Sequence, residues 1–318
     1  MSATAVKPET IRPIRAFEVS VAAVQKLSPH FLRITFTGGD LDYFGSNAAG
    51  QTLDLRIKVM IPSSGFPLPD FGSMDEGWYQ QWLAMDADTR GFMRTYTVRR
   101  FRSGSPGIDG VPAVAAELDV DFVLHLDGGS GPAALWAASA APGDRLTLIG
   151  PDVRAGDCLG IEFAPGGASR LLLVGDETAV PAIAAILETL PAATTGHAIL
   201  EVPCAEDFLD LATDSGIQIS WLARGGNPNG APLQEAVRRV LAPAACDLGD
   251  EPEAVDVDTD ILWETPEPAD VGSGLYAWIA GEAAAVRELR RYLVRDVGMD
   301  RNSVAFMGYW RLGKAQRS

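Results

Sequence analysis

Two hydrophobic patterns divide the chain. In the first half, apolar and polar residues alternate in short runs at 17–24, 31–37 and 53–61, the period-two pattern of strands with one buried face. Leu27-Ser28-Pro29 separates the first two and predicts an antiparallel hairpin, and Pro62 ends the third. Further strands are predicted at 95–101, 115–119, 121–126 and 144–149, with a Gly/Pro turn region at 103–112. From Arg170 the pattern changes. Continuous apolar strands at 171–174, 197–202, 218–222, 275–280 and 304–309 alternate with helices at 180–190, 205–212, 231–241 and 283–297. That order predicts a parallel sheet covered on both faces. The Gly/Pro-rich stretch 162–169 marks the boundary. Residues 1–15 read as a loose arm, 16–165 as a β domain and 166–318 as an α/β domain.

Two segments fit neither pattern. Residues 62–89 form a long connection rich in Pro, Gly, Asp and aromatics (Phe66, Phe71, Trp78, Tyr79, Trp82). Such length predicts a lid or insertion, here with a short helix near 78–85. Residues 247–270 hold ten acidic and no basic residues. Asp256, Asp258, Asp260 and Glu267 mimic part of a calcium loop, but Ile261 stands where its sharp turn needs glycine, and Pro266 and Pro268 crowd its end. The segment reads as a solvated acidic insertion.

At 318 residues and 47% hydrophobic content, the chain can build two cores. Its net charge of −16, from 26 basic and 42 acidic residues, argues against a nucleic-acid partner. The three cysteines, Cys158, Cys204 and Cys246, and three histidines show no metal-ligand spacing. No metal site is therefore expected, nor an iron–sulfur cluster or disulfide framework. No signal peptide or membrane span is visible, so the expectation is a soluble, cytoplasmic monomer.

The chemistry concentrates in Arg94-Thr95-Tyr96-Thr97-Val98-Arg99. An arginine, an aromatic ring and a hydroxyl on one strand offer what a flavin dinucleotide needs: a bidentate cation for the pyrophosphate, a ring to pack on and a hydrogen bond. Gly131-Pro132-Ala133 opens a helix, because Pro fits the first turn. The free N–H groups there make an anion site. His125 lies just before it, and Trp136 can wall a nucleotide base or fill the domain's end. Gly175 alone makes the first turn of the α/β half, without a GxGxxG fingerprint.

The ordered motifs RTYT at 94–97, DFVLH at 121–125, GPAALWA at 131–137 and GDETAVPA at 175–182 resemble those of the siderophore-interacting protein family, with AGE at 280–282 and MGYWR at 307–311 in keeping. The family comprises FAD-dependent ferric-siderophore reductases related to ferredoxin reductases. The resemblance, running from about residue 17 to 313, implies a six-stranded antiparallel Greek-key FAD-binding barrel followed by an NAD(P)-binding α/β domain. It implies FAD ligands at Arg94, Tyr96, Thr97, Val98, Asp121, Phe122, Val123, His125, Gly131, Pro132, Ala133 and Trp136. Asp176, Glu177 and Thr178 would lie beside the flavin ring, with Arg224, Gly281, Glu282 and Trp310 near the nucleotides. Asp176, Thr178 and Tyr309 are the expected catalytic residues. Tyr309 or Trp310 would cover the ring, although neither ends the chain. Lys58, Arg295 and Arg311 would receive an anionic ferric siderophore, whereas Arg290 and Arg291 read as surface charges. The implied donor is NADH or NADPH, or a ferredoxin. Two alternatives remain open: a flavin reductase serving a ferredoxin or oxygenase, and a binding module that holds a ferric chelate without turnover.

Overall fold

The computed structural model describes residues 11–47, 49–73, 77–108, 112–124, 131–156, 158–241, 262–267 and 274–313. His125, the calcium-like run 256–260 and most of both the arm and the acidic insertion lie outside them.

The first half is one antiparallel sheet in the order β4-β3-β7-β1-β2-β6-β5. Its strands are β1 (Ile14–Lys26), β2 (Phe31–Thr37), β3 (Arg56–Ile61), β4 (Phe92–Thr97), β5 (Arg100–Arg102), β6 (Glu117–Val123) and β7 (Arg145–Pro151). The expected six strands become seven because one strand changes partners. β4 pairs with β3 and β5 with β6. Between them Val98 donates its N–H to Leu55 O and Arg99 to Asp119 O. The bend carries the chain from one end of the sheet to the other and curls it around Phe17, Ile34, Phe36, Leu118, Phe122 and Leu148. The two strands expected at 115–119 and 121–126 are a single strand, β6. Its alternating Asp119 and Asp121 look like a polar break in sequence, but Arg102 and Thr35 satisfy the first and Arg33 the second. Helices α1 (Trp78–Ala84) and α2 (Pro132–Ser139) accompany the sheet. Within the long connection, Trp82 of α1 is buried and donates its indole N–H to Arg90 O, covering the barrel wall at Met60 and Ile149.

The second half is a six-stranded sheet in the order β10-β9-β8-β12-β13-β11. β8 (Arg170–Gly175), β9 (Thr195–Val202), β10 (Gly216–Ala223), β12 (Leu275–Glu282) and β13 (Val304–Trp310) run parallel. α3 (Val180–Leu187), α4 (Ala231–Val240) and α5 (Ala283–Arg291) cover them. Leu171 and Leu173 point into the α3 core, Leu172 and Val174 into the α4–α5 core, so every residue of the strand after Arg170 is buried. That is why the segment reads as an unbroken apolar run.

Three expectations change here. The helix expected at 205–212 is only a 3₁₀ turn, Ala205–Asp207, whose Asp207 carboxylate accepts the Cys204 N–H of the turn itself and also bonds Ser28 and His30. The helix expected through 297 ends at Arg291 and continues as a π turn, Tyr292–Asp296. A strand that periodicity could not show, β11 (Trp263–Glu264), leaves the acidic insertion and pairs antiparallel with β13.

Candidate functional site

A cleft of about 400 Å³ lies between the halves. β3, β4, β6 and the start of α2 form one wall, and the β8–α3 turn, β11 and the end of β13 the other. Four direct ties hold the walls in register. Asp54 accepts the Trp278 indole N–H at 3.0 Å and the N–H groups of Glu162 and Phe163. Arg99 forms a bidentate pair with Glu188 at the end of α3, at 2.5 and 3.0 Å. Asp207 accepts from Ser28 at 2.6 Å and from the His30 N–H at 3.0 Å. The Arg56 guanidinium stacks 4.1 Å over Trp263.

Four consecutive residues, Arg94 to Thr97, line the cleft. A strand buried on one face exposes only alternate positions, but β4 ends the hydrogen-bonded order of its sheet, so both faces reach the space. Arg94 is half-buried and donates to Met93 O at 2.7 Å; Lys58 donates to the Thr95 hydroxyl at 2.7 Å. Among the described residues neither cation has a carboxylate within salt-bridge distance. Burial lowers both pKa values, for Lys58 with help from Arg56. Two desolvated cations without counter-charges are unfavourable unless an anion arrives. Opposite them α2 starts at Gly131 without a side-chain cap, with Pro132 at its first position. A Cβ added at Gly131 would meet nothing within 4 Å, so the space over the helix start is open.

Behind the other wall lies Asp176, 3% exposed at the end of β8. It accepts from the Thr178 N–H and hydroxyl at 2.9 and 2.5 Å, the Glu282 N–H at 2.7 Å and the Trp310 indole N–H at 2.7 Å. Thr178 and Trp310 both line the cleft, so this carboxyl sets their positions from behind. Gly281 permits the approach: at φ 147° its Cβ would stand 2.6 Å from the Asp176 Oδ2. Burial, reinforced by neighbouring Glu177, raises Asp176 to about 7. A folded pKa above the unfolded one makes this group stabilising when protonated, and the contribution fades as pH rises from about 4 to 7. Asp176→Asn is therefore expected to flatten the fall in urea midpoint over that window; an unchanged slope would show that another group is responsible.

The comparisons with known proteins agree with this architecture. Residues 20–155 match the siderophore-interacting FAD-binding domain, and residues 168–313 the siderophore-interacting protein family. The crystal structure of the siderophore-interacting protein SipS from Aeromonas hydrophila superposes with a TM-score of 0.63 at 30% identity, over 96% of this chain and 95% of that one. The chain is a member of the siderophore-interacting protein family. Ferric vibriobactin reductase ViuB of Vibrio cholerae is 29% identical over 92% of this chain and 88% of its own length. The NADPH-dependent ferric-chelate reductase of Escherichia coli is 28% identical, over 95% and 96%. More distant solved structures, ferredoxin reductases among them, share the fold.

For this member of the family, the cleft gathers Lys58, Arg94, Tyr96, Thr97, Asp121, Val123, Gly131, Ala133, Thr178, Tyr309, Trp310 and Arg311 from the sequence expectation. Their donor set fits an FAD: a cation for the pyrophosphate, an open helix start and small residues beside it. Tyr309 also stacks on Trp263, with ring centroids 5.9 Å apart, and meets Trp278 edge-on at 6.2 Å.

Other expected ligands sit elsewhere. Val98 and Phe122 turn their side chains into the barrel core, because β-strand alternation points them inward. Trp136 packs on Phe36 and Phe122, filling the barrel end rather than walling the cleft. Glu177 and Arg224 are tied to each other at 2.8 and 3.0 Å, and Arg224 also reaches Glu201 at 3.2 Å. That guanidinium has two buried carboxylates to neutralise and is not on the cleft. Glu282 caps α5 through the N–H groups of Ala284 and Ala285. Pro132 fixes the start of α2 without lining the cleft, and Arg295 lies on the π turn, away from it. Arg56, Thr95, Ala134, Pro181, Trp263 and Gly308 also line the cleft and were not among the expected site residues. Arg56 was legible, since it alternates with Lys58 along β3. Trp263 carried no signal, because a two-residue strand inside an acidic insertion has no period.

Proposed function

We propose that the protein is an FAD-dependent ferric-siderophore reductase, taking electrons from NADPH or NADH and delivering them to Fe(III) held by an anionic chelator. The observation that carries this reading is the pair of half-buried cations, Arg94 and Lys58, without carboxylate partners among the described residues, on a cleft of a chain with net charge −16. Such a cleft is built for anions, and two of them are called for: a pyrophosphate and a chelated iron.

In this reading the barrel half, 16–165, carries FAD, and 166–318 carries the nicotinamide nucleotide. Arg94 and the open start of α2 hold the pyrophosphate, with Thr97 and Tyr96 beside the ring system. FAD, when bound, supplies conversion of a two-electron hydride donor into single-electron delivery, chemistry that no side chain provides. The chain's own residues orient and insulate. Asp176 fixes Thr178 and Trp310, while Tyr309 and Trp263 exclude water from that side of the cleft. Lys58 and Arg311 offset the repulsion an anionic ferric chelate meets from an acidic protein, whereas Arg56 is already paired with Glu162. Names of relatives lend support: one is a ferric vibriobactin reductase, another an NADPH-dependent ferric-chelate reductase. No helix among the described residues is long and apolar enough to cross a membrane. The proposed NADPH or NADH donor places the reaction in the cytoplasm, where those nucleotides are kept reduced.

An anaerobic absorbance titration tests the reading. The expected result is a yellow protein whose flavin band bleaches with NADPH or NADH and returns when a ferric siderophore is added. A protein that cannot be loaded with FAD overturns it in favour of a chelate-binding module. Flavin that bleaches with dithionite but ignores both nucleotides transfers the donor role to a ferredoxin.

A further inference from the structure

Sequence spacing predicts no metal site, yet folding brings His30, Cys204 and Asp207 together with their ligand atoms within 4.8 Å of one another. We propose that these three side chains bind one divalent transition ion of zinc-like, borderline-soft character.

The distances are 2.7 Å from His30 Nδ1 to Asp207 Oδ2, 3.1 Å from Cys204 Sγ to the same oxygen and 3.9 Å from Sγ to Nδ1. A point about 2.0 Å from all three lies inside that triangle. An ion slightly out of the plane would reach nitrogen and oxygen at about 2.1 Å and sulfur at about 2.3 Å, the lengths zinc prefers. Nitrogen, thiolate and carboxylate form a donor set such an ion accepts.

The second shell is already in place. Asp207 Oδ1 is occupied by the Ser28 hydroxyl and the His30 N–H, which aim Oδ2 at the other two ligands. Asp207 is fully buried, whereas His30 and Cys204 are partly exposed, so the site has a deep anchor and an open entrance. Exposed Glu206, in the same turn as Asp207, or a water molecule supplies the fourth ligand. On binding, the Cys204 thiol proton leaves to solvent and the sulfur takes its place on the ion. The imidazole keeps its proton on Nε2 while Nδ1 ligates.

Ser28 and His30 lie between β1 and β2, and Cys204 and Asp207 follow β9. The ion would therefore staple the antiparallel sheet to the parallel one at a point not on the cleft lining. The inference stands apart from the flavin reading and survives its failure.

The test is a cobalt(II) titration of the full chain, read at wavelengths beyond flavin absorption, where cobalt bound tetrahedrally to thiolate gives ligand-field bands. The expected result is bands that saturate at one equivalent and are displaced by zinc. They should be lost in Cys204→Ala and in His30→Gln, with circular dichroism confirming the fold. Ser28→Ala, which removes the hydroxyl that aims the carboxylate and also accepts the Phe31 N–H, should weaken binding about tenfold. A wild-type protein that stays spectrally silent, or bands that persist in Cys204→Ala and so report another thiol, would overturn the site. The cluster would then be a hydrogen-bond hub alone.

Discussion

Arg94→Ala is expected to lower FAD affinity by about a hundredfold or more, with the fold intact. The guanidinium offers a planar fork that takes two phosphate oxygens at once. Net hydrogen bonds to charged groups contribute about 1.5–3 kcal/mol each, so losing two costs at least about 3 kcal/mol. The effect is large because the site is ready for the anion. Arg94 is half-buried, donates to the Met93 carbonyl, and faces an uncapped helix start. In the FAD-free protein, removing a desolvated cation relieves a penalty, so the urea midpoint should not fall. Arg94→Lys keeps the charge without the fork and should recover only part of the affinity. Fluorescence titration of the FAD-free protein measures all three; binding by Arg94→Ala within about twofold of wild type would remove Arg94 from the pyrophosphate site.

The second large effect concerns stability. Arg224→Ala should destabilise the fold by about 3–5 kcal/mol, the cost of leaving buried carboxylates without their counter-charge. Glu177 and Glu201 are each at most 1% exposed, and Arg224 is their shared partner at 2.8–3.2 Å. Glu201 also accepts the N–H groups of Gly230 and Leu233, so it holds the start of α4 in place. Asp176 adds a third acidic group beside the pair and is itself raised by Glu177. Urea unfolding at neutral pH is the measurement. The triple variant Glu177→Gln, Glu201→Gln, Arg224→Met, which removes all the charges, should recover much of the loss. Should Arg224→Ala unfold like wild type yet fail to bind NADPH, the sequence-based assignment of this arginine to a nucleotide phosphate would be restored.

How much of the molecule is legible in its sequence depends on the range of the interactions involved. β8 was legible as 171–174, because a strand covered on both faces must be apolar at every position. α2 was legible because proline fits only the first turn, and the motif order 94–97, 121–125, 131–137 and 175–182 carried the family. Single side chains were less legible. Arg94 and Arg99 belong to one motif, yet Arg94 faces the cleft and Arg99 pairs with Glu188, 89 residues away. Arg224 looked like a phosphate ligand because its carboxylate partners lie 47 and 23 residues distant. Trp263 was invisible for want of local periodicity, and the His30–Cys204–Asp207 cluster because 174 residues separate its first two members.

The sequence by itself thus determined an antiparallel sheet in the first half, the parallel strands of the second and the family, since all three rest on periodicity, turn residues and the order of motifs, which are local properties of a chain; the antiparallel β11 that makes the second sheet mixed was not among them. Only the tertiary structure decided which cations stay without counter-charges, which acids neutralise the others, and where a carboxyl is buried deeply enough to hold its proton near neutral pH. The physical reason is that burial and charge pairing depend on what another segment brings to the same point, and no window of sequence contains that segment.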